Sequence, residues 1–214
     1  MNYKLDNIKS IIIILVIIII NSISIVKSQA LDISEVTCGS AIKLTHGSSN
    51  YKLHSEKKVV YGTGSGQQGV TGLPLPDDPE SLWIVKAANG DICHRGKAIL
   101  CDSIIRLQHA GTNKFLHSHQ HRSPLSNQQE ISAFDGLDSG DNWKIICTNK
   151  SSTHWNREEK IYLQHVETGR YLSANRDHTY SNPIHGHIEV VGSSRNDKNS
   201  EWISQEGIYF AVID

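Results

Sequence analysis

The feature that most constrains this chain is a unit written three times. Ile42-Lys43-Leu44-Thr45-His46, Ile105-Arg106-Leu107-Gln108-His109 and Ile161-Tyr162-Leu163-Gln164-His165 open three stretches, at offsets of 63 and 56 residues. Each opening passes through a short polar turn into a second segment: Tyr51-Lys52-Leu53-His54-Ser55, Lys114-Phe115-Leu116-His117-Ser118 and Arg170-Tyr171-Leu172-Ser173-Ala174. Val70, Ile131 and Val190 follow the starts by 28, 26 and 29 residues, and Trp83, Trp143 and Trp202 follow by 41, 38 and 41. Anchors kept in order at a near-constant period mark an internal triplication.

The openings alternate apolar and polar residues, the period of a half-buried strand. The segments between them, such as His46-Gly47-Ser48-Ser49-Asn50, are rich in residues that tolerate positive φ and read as hairpin turns. After residue 28, sixteen Gly and five Pro cut the chain into short pieces, and no window of 12 residues carries a helical stripe. The body is therefore expected to be all-β. Three units are too few for a propeller, which takes 4–8 blades. They suit a β-trefoil, in which six strands close a barrel and three hairpins cap one end, leaving few free edges. The periodic Trp and Ile/Leu/Val positions would fill its core.

Ahead of the repeats, Lys4 and Lys9 precede ten apolar residues, Ile11 to Ile20, and a small-residue exit at Val26-Lys27-Ser28. That order predicts a signal peptide over residues 1–28, since a membrane span needs about 20 apolar residues. Residues 29–214 are then expected to form one domain, with repeats at about 32–88, 96–151 and 152–208, and no membrane insertion after cleavage. Removing three Lys and one Asp with the leader moves the formal charge from −1 to −3. No basic run remains, which argues against nucleic acid as a partner. Cys38, Cys93, Cys101 and Cys147 all lie beyond the leader, and an even count there reads as two disulfides in an oxidising compartment. Without a C-x-x-C, neither a thioredoxin-like motif nor a zinc ribbon is on offer. Asn149-Lys150-Ser151 is a glycosylation sequon, placing the expected glycan on Asn149.

The Leu-His-Ser hairpins at 53–55 and 116–118 resemble the signature of MIR repeats, found in protein O-mannosyltransferases and in inositol trisphosphate and ryanodine receptors. Longer blocks resemble one branch more closely. Val36-Thr37-Cys38-Gly39-Ser40, Tyr61 to Gly72 and Ser123 to Phe134, with Glu206-Gly207-Ile208, are similar to the stromal cell-derived factor 2 family. The resemblance implies three MIR repeats in one β-trefoil, residence in the endoplasmic reticulum lumen or secretion, and no enzymatic activity or cofactor. It implies as partners a lumenal J-domain co-chaperone and, through it, Hsp70, acting on unfolded or O-mannosylated clients. The chain ends Val212-Ile213-Asp214 rather than in a K-D-E-L address, so retention is expected to depend on a partner.

Cys38 and Cys101 each stand four residues before their opening Ile, while Cys93 and Cys147 stand at the far ends of the same units. In a trefoil those ends meet, which predicts Cys38–Cys93 and Cys101–Cys147, with Arg157 in the place of the third unit's cysteine.

Gly64-Ser65-Gly66-Gln67-Gln68-Gly69 spells a dinucleotide fingerprint, but Val70-Thr71-Gly72-Leu73-Pro74 cannot open the helix which that chemistry needs. His117-Ser118-His119-Gln120-His121 offers imidazoles on alternate positions. A zinc shell also needs further ligands and second-shell partners, and the other nine histidines are scattered, so no metal is expected. Tyr51, His54, Ser55, Phe115, His117 and Ser118 are the candidates for a glycan or anion site, against the alternative that each His braces its own hairpin. The polar loops supply candidate partner-binding residues: Tyr61, Gln67, Gln68, Pro124, Gln128, Gln129, Glu130 and Phe134. Trp155 falls outside the three-copy Trp position and is expected at the surface. No nucleophile elbow occurs, and a ricin-like lectin is disfavoured because Gln-x-Trp is missing before Trp83, Trp143 and Trp202.

Overall fold

The computed structural model describes residues 34–211; the expected signal peptide lies outside them. Among the described residues, twelve strands form three sets of four. They are β1 (Ala41–His46), β2 (Lys52–Val60), β3 (Gln68–Leu73) and β4 (Trp83–Ala87); β5 (Ile104–His109), β6 (Phe115–Arg122), β7 (Gln129–Phe134) and β8 (Trp143–Cys147); and β9 (Lys160–His165), β10 (Tyr171–Thr179), β11 (Ile188–Ser193) and β12 (Trp202–Ile208). The first and last strands of each set close a ring, β1–β4–β5–β8–β9–β12 and back to β1, every step antiparallel. The middle strands form hairpins β2–β3, β6–β7 and β10–β11, whose return strands pair with one another around the axis. A six-stranded barrel capped by a hairpin triplet is the β-trefoil. Closing both rings removes the free edges that an open sheet would expose.

The turns explain why the first two strands of each set fold back. Asn50, Asn113 and Gly169 sit at the same place in the three turns, with φ of 64°, 59° and 67°. Glycine and asparagine tolerate this left-handed region best. The N–H of each bonds back to the carbonyl of His46, His109 or His165 at 2.9 Å.

The repeated tryptophan of each set is fully buried, and its indole N–H donates to a carbonyl of its own hairpin. Trp83 reaches Leu53, Trp143 reaches Leu116 and Trp202 reaches Leu172, all at 2.9 Å. Histidines then lock neighbouring sets together. His109 packs on Trp83, His165 on Trp143 and His46 on Trp202, with ring centroids 4.9–5.1 Å apart. One ring nitrogen of each histidine meets a hydroxyl three residues on, Ser49, Thr112 or Thr168. The other meets the carbonyl three residues before its tryptophan, that of Asn199, Glu80 or Gly140.

Burial lowers the pKa of all three histidines, so the neutral ring is the folded form. An unfolded chain takes up these protons first as pH falls, near the usual histidine value of about 6.5. Stability should therefore be flat above that pH and decline below it, by up to about 1.4 kcal/mol per pH unit for each histidine. Urea titrations at pH 7.5 and 5.5 measure the decline, and His109→Gln should shrink it. Equal stability at the two values would count against three buried neutral rings.

Trp155 departs from its sequence-based expectation: it is 0% exposed. Val36, Ile99 and Trp155 each stand six residues before an opening Ile, and their backbones form a cyclic set of bonds. Val36 N–H donates to Trp155, Ile99 N–H to Val36 and Trp155 N–H to Ile99, at 2.8–3.0 Å. With Val36 and Ile99 also buried, the three side chains join the core that fills the barrel.

The disulfides are Cys38–Cys93 and Cys101–Cys147, with Cα separations of 6.2 and 5.6 Å. Each links the start and end of its own set. In the third set Arg157 lies over the ring of Tyr209 at 4.2 Å, a cation–π contact in place of the covalent link.

Candidate functional site

The hairpin histidines face inward. His54 and His117 are 4% and 1% exposed, and Ser55 and Ser118 are buried beside them. Leu53 and Leu116 point their side chains into the core, and the tryptophans hold their carbonyls, which fixes the following residues of each hairpin. His54 Nδ1 meets Asp78 Oδ2 at 2.8 Å, and His117 Nδ1 meets Asp141 Oδ1 at 3.0 Å. These aspartates belong to the short 3₁₀ turns, Pro79–Ser81 and Ser139–Asp141, that precede β4 and β8, or cap them. Burial alone would raise the Asp78 carboxyl; hydrogen bonds from Ser81 and His54 outweigh it and hold it below the usual range. Ser55 donates to the carbonyl of Gly69, and Ser118 to that of Glu130. Phe115 is buried and Tyr51 half-buried, each under a guanidinium: Arg106 over Phe115 and Arg176 over Tyr51. The six candidate ligand residues are thus engaged inside the fold. The histidines brace their hairpins through carboxylates of the neighbouring turn rather than through backbone carbonyls.

The candidate partner loops divide. Tyr61 is buried, with its hydroxyl donating to the carbonyls of Val70 and Ile131. Gln68 is 1% exposed and donates to Ser55 and Thr112; Glu130 is 3% exposed and accepts from Ser65. These three are withdrawn from any contact surface, because the hairpin cap needs polar side chains to join one set to the next. Gln129 plays the part of Gln68 one set on, donating to Ser118 at 2.7 Å and Thr168 at 2.9 Å. Gln67 and Phe134 are half-buried; Pro124 and Gln128 are exposed.

What remains open is a polar cleft of about 620 Å³ between the β6–β7 hairpin and the third set. Arg122, Gln128 and Gln129 line one side and Glu167, Thr168 and Arg170 the other. Arg122 donates to the carbonyl of Asn127, which fixes the hairpin tip. Two guanidiniums among carboxamides and hydroxyls suit a carboxylate, a phosphate or the hydroxyls of a sugar. The sequence reading placed Gln128 and Gln129 at this surface but missed the arginines: Arg122 stands just before the Ser123–Phe134 block, and Arg170 sits in a repeat segment read only as hairpin. Among the described residues, no helix is long and apolar enough to cross a membrane.

Residues 53–182 match the MIR domain. The chain is 43% identical over 185 residues to a stromal cell-derived factor 2-like protein of Dictyostelium discoideum, covering 83% of this chain and 85% of the relative. The chain belongs to the stromal cell-derived factor 2 family. A crystal structure of the family's Arabidopsis thaliana member superposes with a TM-score of 0.81 at 40% identity, over 84% of this chain and 99% of that one. A Saccharomyces cerevisiae protein O-mannosyltransferase complex, Pmt1-Pmt2 bound to the sugar donor, superposes at 0.71 with 26% identity, over 86% of this chain and 27% of that one. The family resemblance read from Val36–Ser40, Tyr61–Gly72 and Ser123–Phe134 is therefore correct, and so is the all-β trefoil. Within those blocks Tyr61, Gln68 and Glu130 do structural work in this fold.

Proposed function

We propose that this chain is a non-catalytic adaptor of the endoplasmic reticulum lumen that acts with a J-domain co-chaperone and Hsp70 on folding clients. Membership of the stromal cell-derived factor 2 family across the whole trefoil carries the reading. The architecture supports it: both closed rings spend the conspicuous His, Ser and Gln side chains on rigidity and leave a polar cleft on one flank. A rigid scaffold presenting polar loops is suited to holding another protein. The test is affinity purification of the full chain from lumenal extract, comparing wild type with Arg122→Glu/Arg170→Glu. Wild type should recover a J-protein and Hsp70, and the charge reversal should reduce recovery about tenfold or more. Equal recovery would remove the cleft from the interface, and recovery of neither protein would overturn the adaptor.

One observation favours a second reading, recognition of O-mannosylated chains: the likeness to the mannosyltransferase, joined to a cleft lined by hydroxyls, amides and arginines. It predicts capture that free mannoside competes away, which the adaptor reading does not.

A further inference from the structure

The second set departs from threefold symmetry at one place. Glu56, His119 and Asn175 occupy equivalent positions, as do His54, His117 and Ser173; Asp141 stands where Ser81 and Ser200 do. All three sets fold into the same hairpin, so the fold itself does not require two histidines and an extra buried aspartate. What they assemble is a donor cluster. One ring nitrogen each from His117 and His119 and one oxygen of Asp138 lie within 4.8 Å of one another. His119 Nε2 is 3.6 Å from Asp138 Oδ2. Donors on one four-coordinate zinc ion stand about 3.3 Å apart, from bonds of about 2.0–2.2 Å. Small side-chain shifts would bring these into range.

The surroundings are those of a built site. Each histidine has its Nδ1 against a carboxylate, His117 against Asp141 at 3.0 Å and His119 against Glu167 at 3.2 Å. A carboxylate behind each imidazole orients ligating histidines and raises their basicity. His117 is 1% exposed and its Nε2 has no hydrogen-bond partner; Asp141 is 0% exposed and its Oδ2 has none either. Asp138 is fixed by the Gly140 N–H at 2.8 Å. A Cβ at Gly140 would stand 2.6 Å from His117 Cε1, so the turn closes on the ring only with glycine there. His119 and Asp138 keep about a third or more of their side-chain surface, which leaves an entry path.

We propose that His117, His119 and Asp138 bind a divalent transition-metal ion, with Asp141 and Glu167 as the orienting shell. Two imidazoles and a carboxylate suit zinc. The sequence reading expects no metal because it counts histidines. His121 is not part of the cluster, and the third donor comes 19 residues after His119, from the turn before β8.

The test is a titration of the tag-free, chelator-treated chain with zinc alone, and with cobalt followed by visible absorption. Wild type should take one equivalent and give the intense bands of low-coordinate cobalt. His119→Asn and Asp138→Asn should each abolish this, and Glu167→Gln should weaken it about tenfold or more. His121→Asn should leave it unchanged. His119 is part-exposed, so its variant keeps the fold even if Asp138→Asn, at a turn cap, does not. No stoichiometric binding by wild type, binding that survives His119→Asn, or loss caused by His121→Asn would each overturn the proposal.

Discussion

Trp155→Ala should destabilise the domain by about 3–5 kcal/mol, the usual cost of emptying a fully buried indole position. For a domain of this size that lowers the melting temperature by roughly 6–20 °C. The reason is placement. Trp155 is fully buried in the core cluster, and its backbone bonds both Val36 and Ile99. Its indole N–H has no hydrogen-bond partner, unlike those of Trp83, Trp143 and Trp202. Trp155→Phe should therefore recover most of the loss, because it keeps apolar volume and forfeits no bond. Trp143→Phe should recover less, since it leaves the Leu116 carbonyl without its donor. Thermal and urea melts of the four variants, Trp→Ala and Trp→Phe at both positions, measure the contrast. A loss below about 1 kcal/mol for Trp155→Ala would show that the site collapses readily and that the ring is not needed as filler.

Trp155 also shows where the sequence could be read and where it could not. The strands, the triplication and the trefoil follow from spacing, because a closed, pseudo-symmetric fold forces each set to repeat its buried positions. The same rule reaches Trp155: Val36, Ile99 and Trp155 all precede an opening Ile by six residues. Attention to residue type, rather than to position, hid that match. The inter-set histidines were visible as the fifth residue of each opening, but their partners were not. His109 meets a carbonyl 29 residues back, and that pairing appears only once β4 and β5 lie side by side.

Polar loops mislead for a related reason. Tyr61, Gln68 and Glu130 sit in segments whose composition reads as exposed, yet the hairpin cap draws them around the axis. There the β3, β7 and β11 strands meet, and Tyr61 donates to backbone carbonyls of two sets while Gln68 and Glu130 bond hydroxyls across the same boundary. The cleft arginines carry the opposite lesson. Arg122 and Arg170 are 48 residues apart in sequence and unremarkable in each neighbourhood; the trefoil alone makes them two walls of one cleft.

The second large effect concerns the disulfides. Replacing both cysteines of either bond by serine should cost about 4 kcal/mol in the chain-entropy model, given sequence separations of 55 and 46 residues. That corresponds to roughly 8–16 °C in melting temperature. Losing both would remove about 8 kcal/mol, comparable to the whole stability of an ordinary domain, about 5–15 kcal/mol. The fully reduced chain should accordingly be substantially unfolded at 37 °C, while each singly disrupted chain stays folded. The third set supplies the internal comparison, since it holds its ends through Arg157 over Tyr209. A cation–π contact is worth about 0.5–1 kcal/mol; Tyr209 also packs against the core and its hydroxyl donates to Ser204, so Tyr209→Ala removes that packing as well and should still cost less than either cysteine pair. The measurement is a set of urea melts on Cys38→Ser/Cys93→Ser, Cys101→Ser/Cys147→Ser, Tyr209→Ala and the reduced wild type. If the reduced chain melts within a few degrees of the oxidised one, the barrel and hairpin rings hold the trefoil unaided, and the dependence on an oxidising compartment falls with the prediction.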